Sequence, residues 1–529
     1  MTNIGETLVQ YLEAQQVDII FGIPGVHTIE LYRGLATSSI RHITSRHELG
    51  AGFMADAYAR VSGKPGVAFV ITGPGVTNIL TAVAQARADS VPILVVSGVN
   101  EQTSLGLGLG HLHELPDQQT LCSLVACSSM QIRAAEDLVP ALNQAFADFY
   151  SQRPGPVHIE IPIDVMGFSC RSSIEIMKLG QVPRPDSADI RQAVKLLSES
   201  EKTLILAGGG ARGAAREVQA LAELLDAPVI LTTNGRGLLH KHPLCVPASG
   251  SLSAVRRLIM DAEVVLAIGT ELGTTDYDMY RDGGFPDISK LIRVDICDQQ
   301  IKRHVAEVGL VGDSAAVVKA LLPKLSDDLI RQSWPGADIA EQTRRAAKAG
   351  LSADYRHLLD ILNTIRDTMP GSLIVGDSTQ LIYAGNLYYD HDRVGGWFNS
   401  ATGYGALGYA MPAAIGAALA APDETVICLT GDGGAQFSLA ELMTASQEHL
   451  SIIFIIWNNR GYQEIEKSMD DAGIDAFSCD LVPPDFEARA AACAMPFYVC
   501  PDDTVGIRRG LGHAAAHPGP VILEVRAYN

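Results

Sequence analysis

The chain has 529 residues, too many for one hydrophobic core and enough for about three domains. With 47% hydrophobic and 19% charged residues it reads as globular, and a formal net charge of −20 argues against nucleic-acid or anionic-membrane partners. The nine cysteines include no C-x-x-C pair, so they read as buried or free thiols of a reducing cytoplasm, with no disulfide or zinc framework. Residues 1–22 have helical spacing and acidic residues but no basic n-region or apolar h-region, so no export signal is expected. No uninterrupted apolar stretch reaches membrane-spanning length.

Along the chain, three blocks alternate strands and helices. The first, 1–170, has strands at 19–21, 67–71 and 93–97. Its first strand runs into Gly22-Ile23-Pro24-Gly25-Val26-His27. Arg46-His47-Glu48 then opens a helix containing Gly50-Ala51-Gly52 and Met54-Ala55-Asp56-Ala57-Tyr58-Ala59-Arg60. A Glu in that position ordinarily only complements the positive helix end. Thr72-Gly73-Pro74-Gly75-Val76-Thr77-Asn78 follows the next strand, and Gly110-His111-Leu112-His113-Glu114 forms a later loop. Residues 171–187 are polar and Pro-containing, a linker by composition. The second block, 188–325, has strands at 203–206, 264–268 and 291–294. Its Gly208-Gly209-Gly210 run is weak evidence for a dinucleotide loop and reads more simply as a tight turn. A charged, weakly patterned stretch, 326–354, links to the third block, 355–529.

The third block carries the densest signal. A β-branched strand at 425–430 meets Gly431-Asp432-Gly433-Gly434, a sharp turn where only glycine lets the backbone approach a ligand. Leu439, Leu442 and Met443 give 438–447 helical spacing, and a second buried strand at 451–457 ends in Asn458-Asn459. This βαβ unit puts an Asp and an Asn at the carboxyl ends of two strands, beside a Gly-rich turn that suits phosphate. Hard oxygen ligands next to phosphate suit magnesium. The first and third blocks share one plan, with Thr72–Asn78 where the third has its glycine turn. The expected fold class is α/β, with three doubly wound parallel-sheet domains.

GDGG followed by NN, together with RHE-x-GA-x-x-MA-x-x-YAR, resembles the thiamine diphosphate-dependent 2-oxo acid decarboxylase and acetohydroxyacid synthase superfamily. The resemblance implies pyrimidine-binding, central and diphosphate-binding domains at 1–170, 188–325 and 355–529. It implies that Asp432, Asn459 and the Gly461 carbonyl ligate Mg2+, with Gly433 and Gly434 at the diphosphate. Glu48 would hold N1′ of the aminopyrimidine and favour the imino tautomer that takes the C2 proton. Thr72 and Asn78 would lie at the cofactor, Thr379 and Gln380 would donate to the diphosphate, and the Gly405 carbonyl and Leu407 amide would bind the pyrimidine edge. The Leu407 side chain would bend the cofactor into a V. Some members carry FAD in the central block; here Glu271, Asp276 and Asp278 follow the second-block strand, and FAD is not expected. The site would draw on two subunits, so a homodimer or homotetramer is implied.

For substrate, Val26 and His27 stand where pyruvate decarboxylases have an acidic residue, and His113 matches a synthase Gln. The tryptophan of the synthases' second-substrate site has no counterpart in Tyr462-Gln463-Glu464-Ile465-Glu466. His27 and His113 are candidate proton donors or carboxylate binders. Glu464 and Glu466 offer negative charge suited to a guanidinium. The combination of FGIPGVHTIELYRGL, ELGTTDYD, GDSTQLIYAGN and NNRGYQEI resembles the 5-guanidino-2-oxopentanoate (2-ketoarginine) decarboxylases most, implying a 2-oxo acid decarboxylase acting on an arginine-derived substrate. An acetolactate synthase-like carboligase and a non-catalytic cofactor-binding protein are the alternatives.

Overall fold

The structure is a computed structural model that describes residues 2–170, 174–176, 182–279, 283–325 and 334–528. Parts of both expected linkers, 171–173, 177–181 and 326–333, lie outside the described residues. Three six-stranded parallel sheets with interleaved helices make up the fold. The first holds β1 (Ile19–Gly22), β2 (Arg41–Thr44), β3 (Gly66–Val70), β4 (Ile93–Val99), β5 (Ser128–Gln131) and β6 (Val157–Pro162), in the order β2-β1-β3-β4-β6-β5. The second holds β7 (Thr203–Ala207), β8 (Val229–Leu231), β9 (Cys245–Val246), β10 (Val264–Ile268), β11 (Leu291–Asp295) and β12 (Val308–Val311), ordered β12-β11-β10-β7-β8-β9. The third holds β13 (Leu373–Gly376), β14 (Trp397–Asn399), β15 (Val426–Gly431), β16 (Ile452–Asn458), β17 (Phe497–Pro501) and β18 (Val521–Arg526), ordered β14-β13-β15-β16-β18-β17. The first and third orders are the same. Burial on both faces explains the continuous apolar runs: all seven residues of β4 and of β16 are buried.

By packing, the chain falls into two compact units: Met1–Gln181, Gly403–Tyr498 and Ala514–Glu524 in one, Val182–Thr402, Val499–His513 and Val525–Asn529 in the other. In the first unit, small residues let three helices approach closely. A Cβ on Gly416, in helix Ala410–Ala420, would sit 2.0 Å from the Met54 carbonyl oxygen. One on Gly52, in helix Glu48–Ser62, would sit 2.4 Å from Ala82 of helix Pro74–Ala88. Gly52, at an unspecified position of the GA-x-x-MA motif, is therefore required by packing.

Two expectations change. The stretch assigned to a linker contains helix Gly336–Ala349, whose Ala340 and Ala347 are buried with Trp334 in the core of the second sheet. Its buried positions, Gly336, Ala340, Thr343 and Ala347, do follow helical spacing, but they are small side chains that stand out poorly among the charged residues between them. The helix expected at 438–447 begins as a 3-10 turn, Leu439–Glu441, and becomes α-helical only over Leu442–Gln447. Met443 is 41% exposed, whereas the acid Glu441 is buried. Among the described residues no helix is long and apolar enough to cross a membrane, and all nine cysteines are free.

Candidate active site

Asp432 is the first residue of a one-turn helix, Asp432–Ala435, at the end of β15, and it is buried. The Gly431–Gly434 stretch needs no left-handed backbone; Gly433 is required for another reason. A Cβ there would lie 2.5 Å from the Tyr462 ring and 3.2 Å from Leu481. Burial pushes the Asp432 carboxyl above its ordinary value, and backbone N–H groups of Asn459, Gly433 and Gly461 pull it back. Those contacts bring Asp432 to the turn after β16. Asn458 shapes that turn: its Nδ2 donates to Glu524 Oε1 at 2.6 Å, and its Oδ1 accepts from the Arg460 amide at 3.2 Å. Arg460 takes φ +62°, and the Gly461–Tyr462 backbone is covered by residues 479–481. The Asn459 amide nitrogen donates to Gln463 Oε1 at 3.2 Å. The Asp432 carboxylate, the Asn459 amide and the Gly461 carbonyl are all hard oxygen donors. Among the described residues no three His, Cys, Asp or Glu cluster as a metal site. A centre with one carboxylate fits an ion that completes its shell with phosphate and water oxygens.

Glu48 is the first residue of its helix, capped by His47, whose Nδ1 accepts from the Leu49 amide at 3.1 Å. Asn78 Nδ2 donates to Glu48 Oε2 at 2.9 Å, so two sequence candidates meet. Thr72 is fully buried, and its hydroxyl donates to Gln118 Oε1 at 2.8 Å. Gln118 in turn donates to Ser97, to the Gly98 carbonyl and to Glu160 Oε2.

His27 and His113 also come together, with ring centroids 5.1 Å apart. Glycines make this possible. A Cβ on Gly98 would lie 2.2 Å from the His27 carbonyl oxygen, and one on Gly73 (φ +66°) 2.6 Å from that of His113. Burial, with His113 alongside, lowers the His27 pKa. Each ring's Nδ1 is buried without a hydrogen-bond partner. Neighbouring Val26 is 64% exposed.

Gly405 and Gly408 turn the chain with φ +77° and +78°. Between them the Ala406 amide donates to Gln85 Oε1 at 3.2 Å, and Leu407 is half-buried. Gln85 Nε2 donates to Asp89 at 2.7 Å; Arg60 pairs with Asp89 and with Asp56 at 2.7 Å each; Tyr409 donates to Asp56 at 2.6 Å. This buried network braces the turn. Arg60 stands inside the quoted motif, yet only the pairing identifies its work, and that of Tyr409. Buried Glu441 is another residue the sequence reading missed.

Glu464 and Glu466 lie on helix Gln463–Asp471, which buries none of its residues. Glu464 is half-buried and Glu466 exposed. Nothing places either beside the histidine pair. In the second unit, buried Thr379 occupies the N-cap position of helix Gln380–Leu387, without a side-chain capping bond. There too, a Cβ on Gly208 would lie 2.4 Å from the Gly269 carbonyl oxygen and one on Gly210 2.9 Å from the Gly269 Cα, so the glycine run admits a loop–loop contact.

The fold is that of a thiamine-dependent enzyme. Three family models match: the thiamine pyrophosphate enzyme N-terminal TPP binding domain over residues 2–121, the central domain over 190–321 and the C-terminal TPP binding domain over 377–525. The chain belongs to the thiamine pyrophosphate enzyme family. It is 41% identical to the probable 2-ketoarginine decarboxylase AruI of Pseudomonas aeruginosa, over 99% of this chain and 93% of that protein. It is 28% identical to the acetolactate synthase isozyme 1 large subunit of Escherichia coli, over 98% and 93%. Identity to a probable acetolactate synthase large subunit of Methanocaldococcus jannaschii is 32%, over 86% and 80%.

Proposed function

We propose that this protein decarboxylates 5-guanidino-2-oxopentanoate to 4-guanidinobutanal and carbon dioxide, non-oxidatively and with Mg2+ and thiamine diphosphate. The observation that carries the reading is the 41% identity, over 99% of the chain, to a relative named for 2-ketoarginine decarboxylation. The intact Glu48–Asn78 and Asp432–Asn459 pairs support it.

Residues 1–170 form the pyrimidine-binding domain, 188–325 the central domain and 355–529 the diphosphate-binding domain. Asp432, Asn459 and the Gly461 carbonyl hold Mg2+; Gly433, Gly434, Thr379 and Gln380 lie along the diphosphate; Gly405 and Leu407 hold the pyrimidine edge, with Thr72 nearby. Thiamine diphosphate, when bound, supplies the carbon nucleophile and the electron sink for loss of carbon dioxide. Glu48, steadied through Oε2 by Asn78, holds a proton against the pyrimidine N1′. His27 and His113 move a proton to the product, and burial, with His113 alongside, lowers the His27 pKa. Val26 lines the entrance, and Glu464 or Glu466 pairs with the guanidinium. The enzyme works without FAD, in the cytoplasm, as a homodimer or homotetramer with active sites between subunits. Exposure of Leu107, Leu109 and Leu112 at 61–64% supports a surface that a second copy covers.

A panel of 2-oxo acids, scored for carbon dioxide, aldehyde and ligated product, tests the reading. The guanidino acid is expected to give the highest kcat/KM, with aldehyde as product. No carbon dioxide from any 2-oxo acid would refute it, and acetolactate as the main product would replace it with a carboligase.

A further inference from the structure

Glu441 sits a few positions downstream of Asp432, in the turn Leu439–Glu441, and is only 1% exposed. A buried carboxylate needs donors, and this one takes them from a segment nearly four hundred positions earlier. Oε1 accepts from two consecutive backbone amides, Arg46 at 2.9 Å and His47 at 3.0 Å. Oε2 accepts from the Thr444 hydroxyl at 2.7 Å. Arg46 and His47 are the last two residues before Glu48. A second observation points the same way: a Cβ on Gly50 would lie 2.3 Å from Glu441 Oε1 and 2.8 Å from its Cδ. The helix that starts with Glu48 therefore leaves out a side chain where the Glu441 carboxylate lies.

We infer that Glu441 is a positioning residue for Glu48, acting as a hydrogen-bond acceptor for the backbone that presents it. Asn78 holds the Glu48 carboxylate at one end, and Glu441 holds its main chain at the other. Two N–H groups converging on one oxygen fix the peptide planes on the N-terminal side of Glu48, so the helix start cannot rotate. The segment that carries Asp432 thus also sets the aim of Glu48 in the same chain. The inference rests on the role proposed for Glu48 at the cofactor.

Four variants test it: Glu441→Ala, Glu441→Gln, Gly50→Ala and the Gly50→Ala/Glu441→Ala double. In cofactor-free protein the readout is amide hydrogen exchange at Arg46 and His47. In protein loaded with thiamine diphosphate and Mg2+ it is the exchange rate of the thiazolium C2 proton, alongside cofactor affinity. Glu441→Ala is expected to speed amide exchange at both positions and slow C2 exchange by about 10- to 100-fold, the scale of a misplaced catalytic group, with cofactor affinity unchanged. Glu441→Gln keeps an oxygen acceptor and is expected to stay near wild type. Gly50→Ala should reproduce the loss by displacing the carboxylate, and it should cost nothing further once Glu441 is already Ala. If Glu441→Ala does not fold, Gly50→Ala and Glu441→Gln carry the same comparison. Wild-type C2 exchange in Glu441→Ala or Gly50→Ala would overturn the inference. So would a Gln variant as slow as Ala, or additive losses in the double. A Glu48→Gln control separates the two readings: wild-type C2 exchange there would remove Glu48 from catalysis and overturn the inference with it, while amide exchange at Arg46 and His47 would still report the Glu441 contact.

Discussion

Replacing Arg60 with Met should destabilise the protein strongly, because it strands two acids. The side chains of Arg60, Asp56 and Asp89 are only 2%, 0% and 3% exposed, and the guanidinium meets both carboxylates at 2.7 Å. Breaking a buried ion pair from one side costs about 3–5 kcal/mol, most of it from the uncompensated charge left behind. At about 2–4 °C per kcal/mol for a domain of 150–250 residues, the melting midpoint should fall by about 6–20 °C. The damage should reach the cofactor turn, since Asp56 accepts from Tyr409 and Asp89 from Gln85, whose Oε1 holds the Ala406 amide. Thermal melts with and without thiamine diphosphate, together with a cofactor titration, measure both effects. The decisive comparison is Arg60→Met/Asp56→Asn/Asp89→Asn, which removes every charge and keeps similar shapes. It should recover most of the lost stability. A triple variant as unstable as Arg60→Met would show that packing, and no stranded charge, set the cost, and the electrostatic account would be wrong.

Other expectations follow from the same structure. Asp432→Ala should lose magnesium-dependent binding of thiamine diphosphate, read by calorimetry with and without chelator; unchanged affinity would remove Asp432 from the metal site. Neutralising whichever of Glu464 and Glu466 meets the guanidinium should lower kcat/KM for the guanidino substrate about ten- to a hundredfold, from a charge-assisted bond of about 1.5–3 kcal/mol, and spare short aliphatic 2-oxo acids. An unchanged substrate ratio in both variants would mean that these acids only face solvent. His158, buried between Ser97 and Ser129, is pushed down to about 3 by desolvation. Its folded pKa lies below the unfolded value of about 6.5, so the unfolded chain binds the proton first and stability falls as pH drops below about 6.5. The slope for this group should be about 1.4 kcal/mol per pH unit down to about pH 3. Denaturant midpoints against pH should flatten in His158→Asn, and equal slopes in both proteins would contradict the assignment.

Strands were legible because β-branched apolar runs buried on both faces, such as β15 and β16, look like nothing else at that length. Glu48 and Asp432 were legible through motif resemblance. Helix Gly336–Ala349 was not, since its buried positions repeat at helical spacing but hold only Gly, Ala and Thr, too small to stand out among the charged residues around them. Nor could Glu441 be found: a lone acid between Ala440 and Leu442 reads as the solvated face of an amphipathic helix, and its donors, the Arg46 and His47 amides, lie 395 and 394 residues away. The glycines of the Gly431–Gly434 run were read as room for a ligand, whereas Gly433 answers first to the Tyr462 ring. The pairing of His27 with His113 depends on Gly73 and Gly98, which belong to other strand ends.

The identical winding of the first and third sheets also speaks to ancestry. Six strands in the order β2-β1-β3-β4-β6-β5 and six in the order β14-β13-β15-β16-β18-β17 form one pattern written twice, while the middle sheet follows another. Copying a single domain produces such a pair. Once copied, the peptide after the third strand of each could drift to its own task, Thr72–Asn78 in one and Asp432–Gly434 in the other. The scaffold would keep its shape, because winding order survives the replacement of almost every residue. On this view kinship between the outer two sheets should be sought in strand order, where memory of the doubling outlasts the letters.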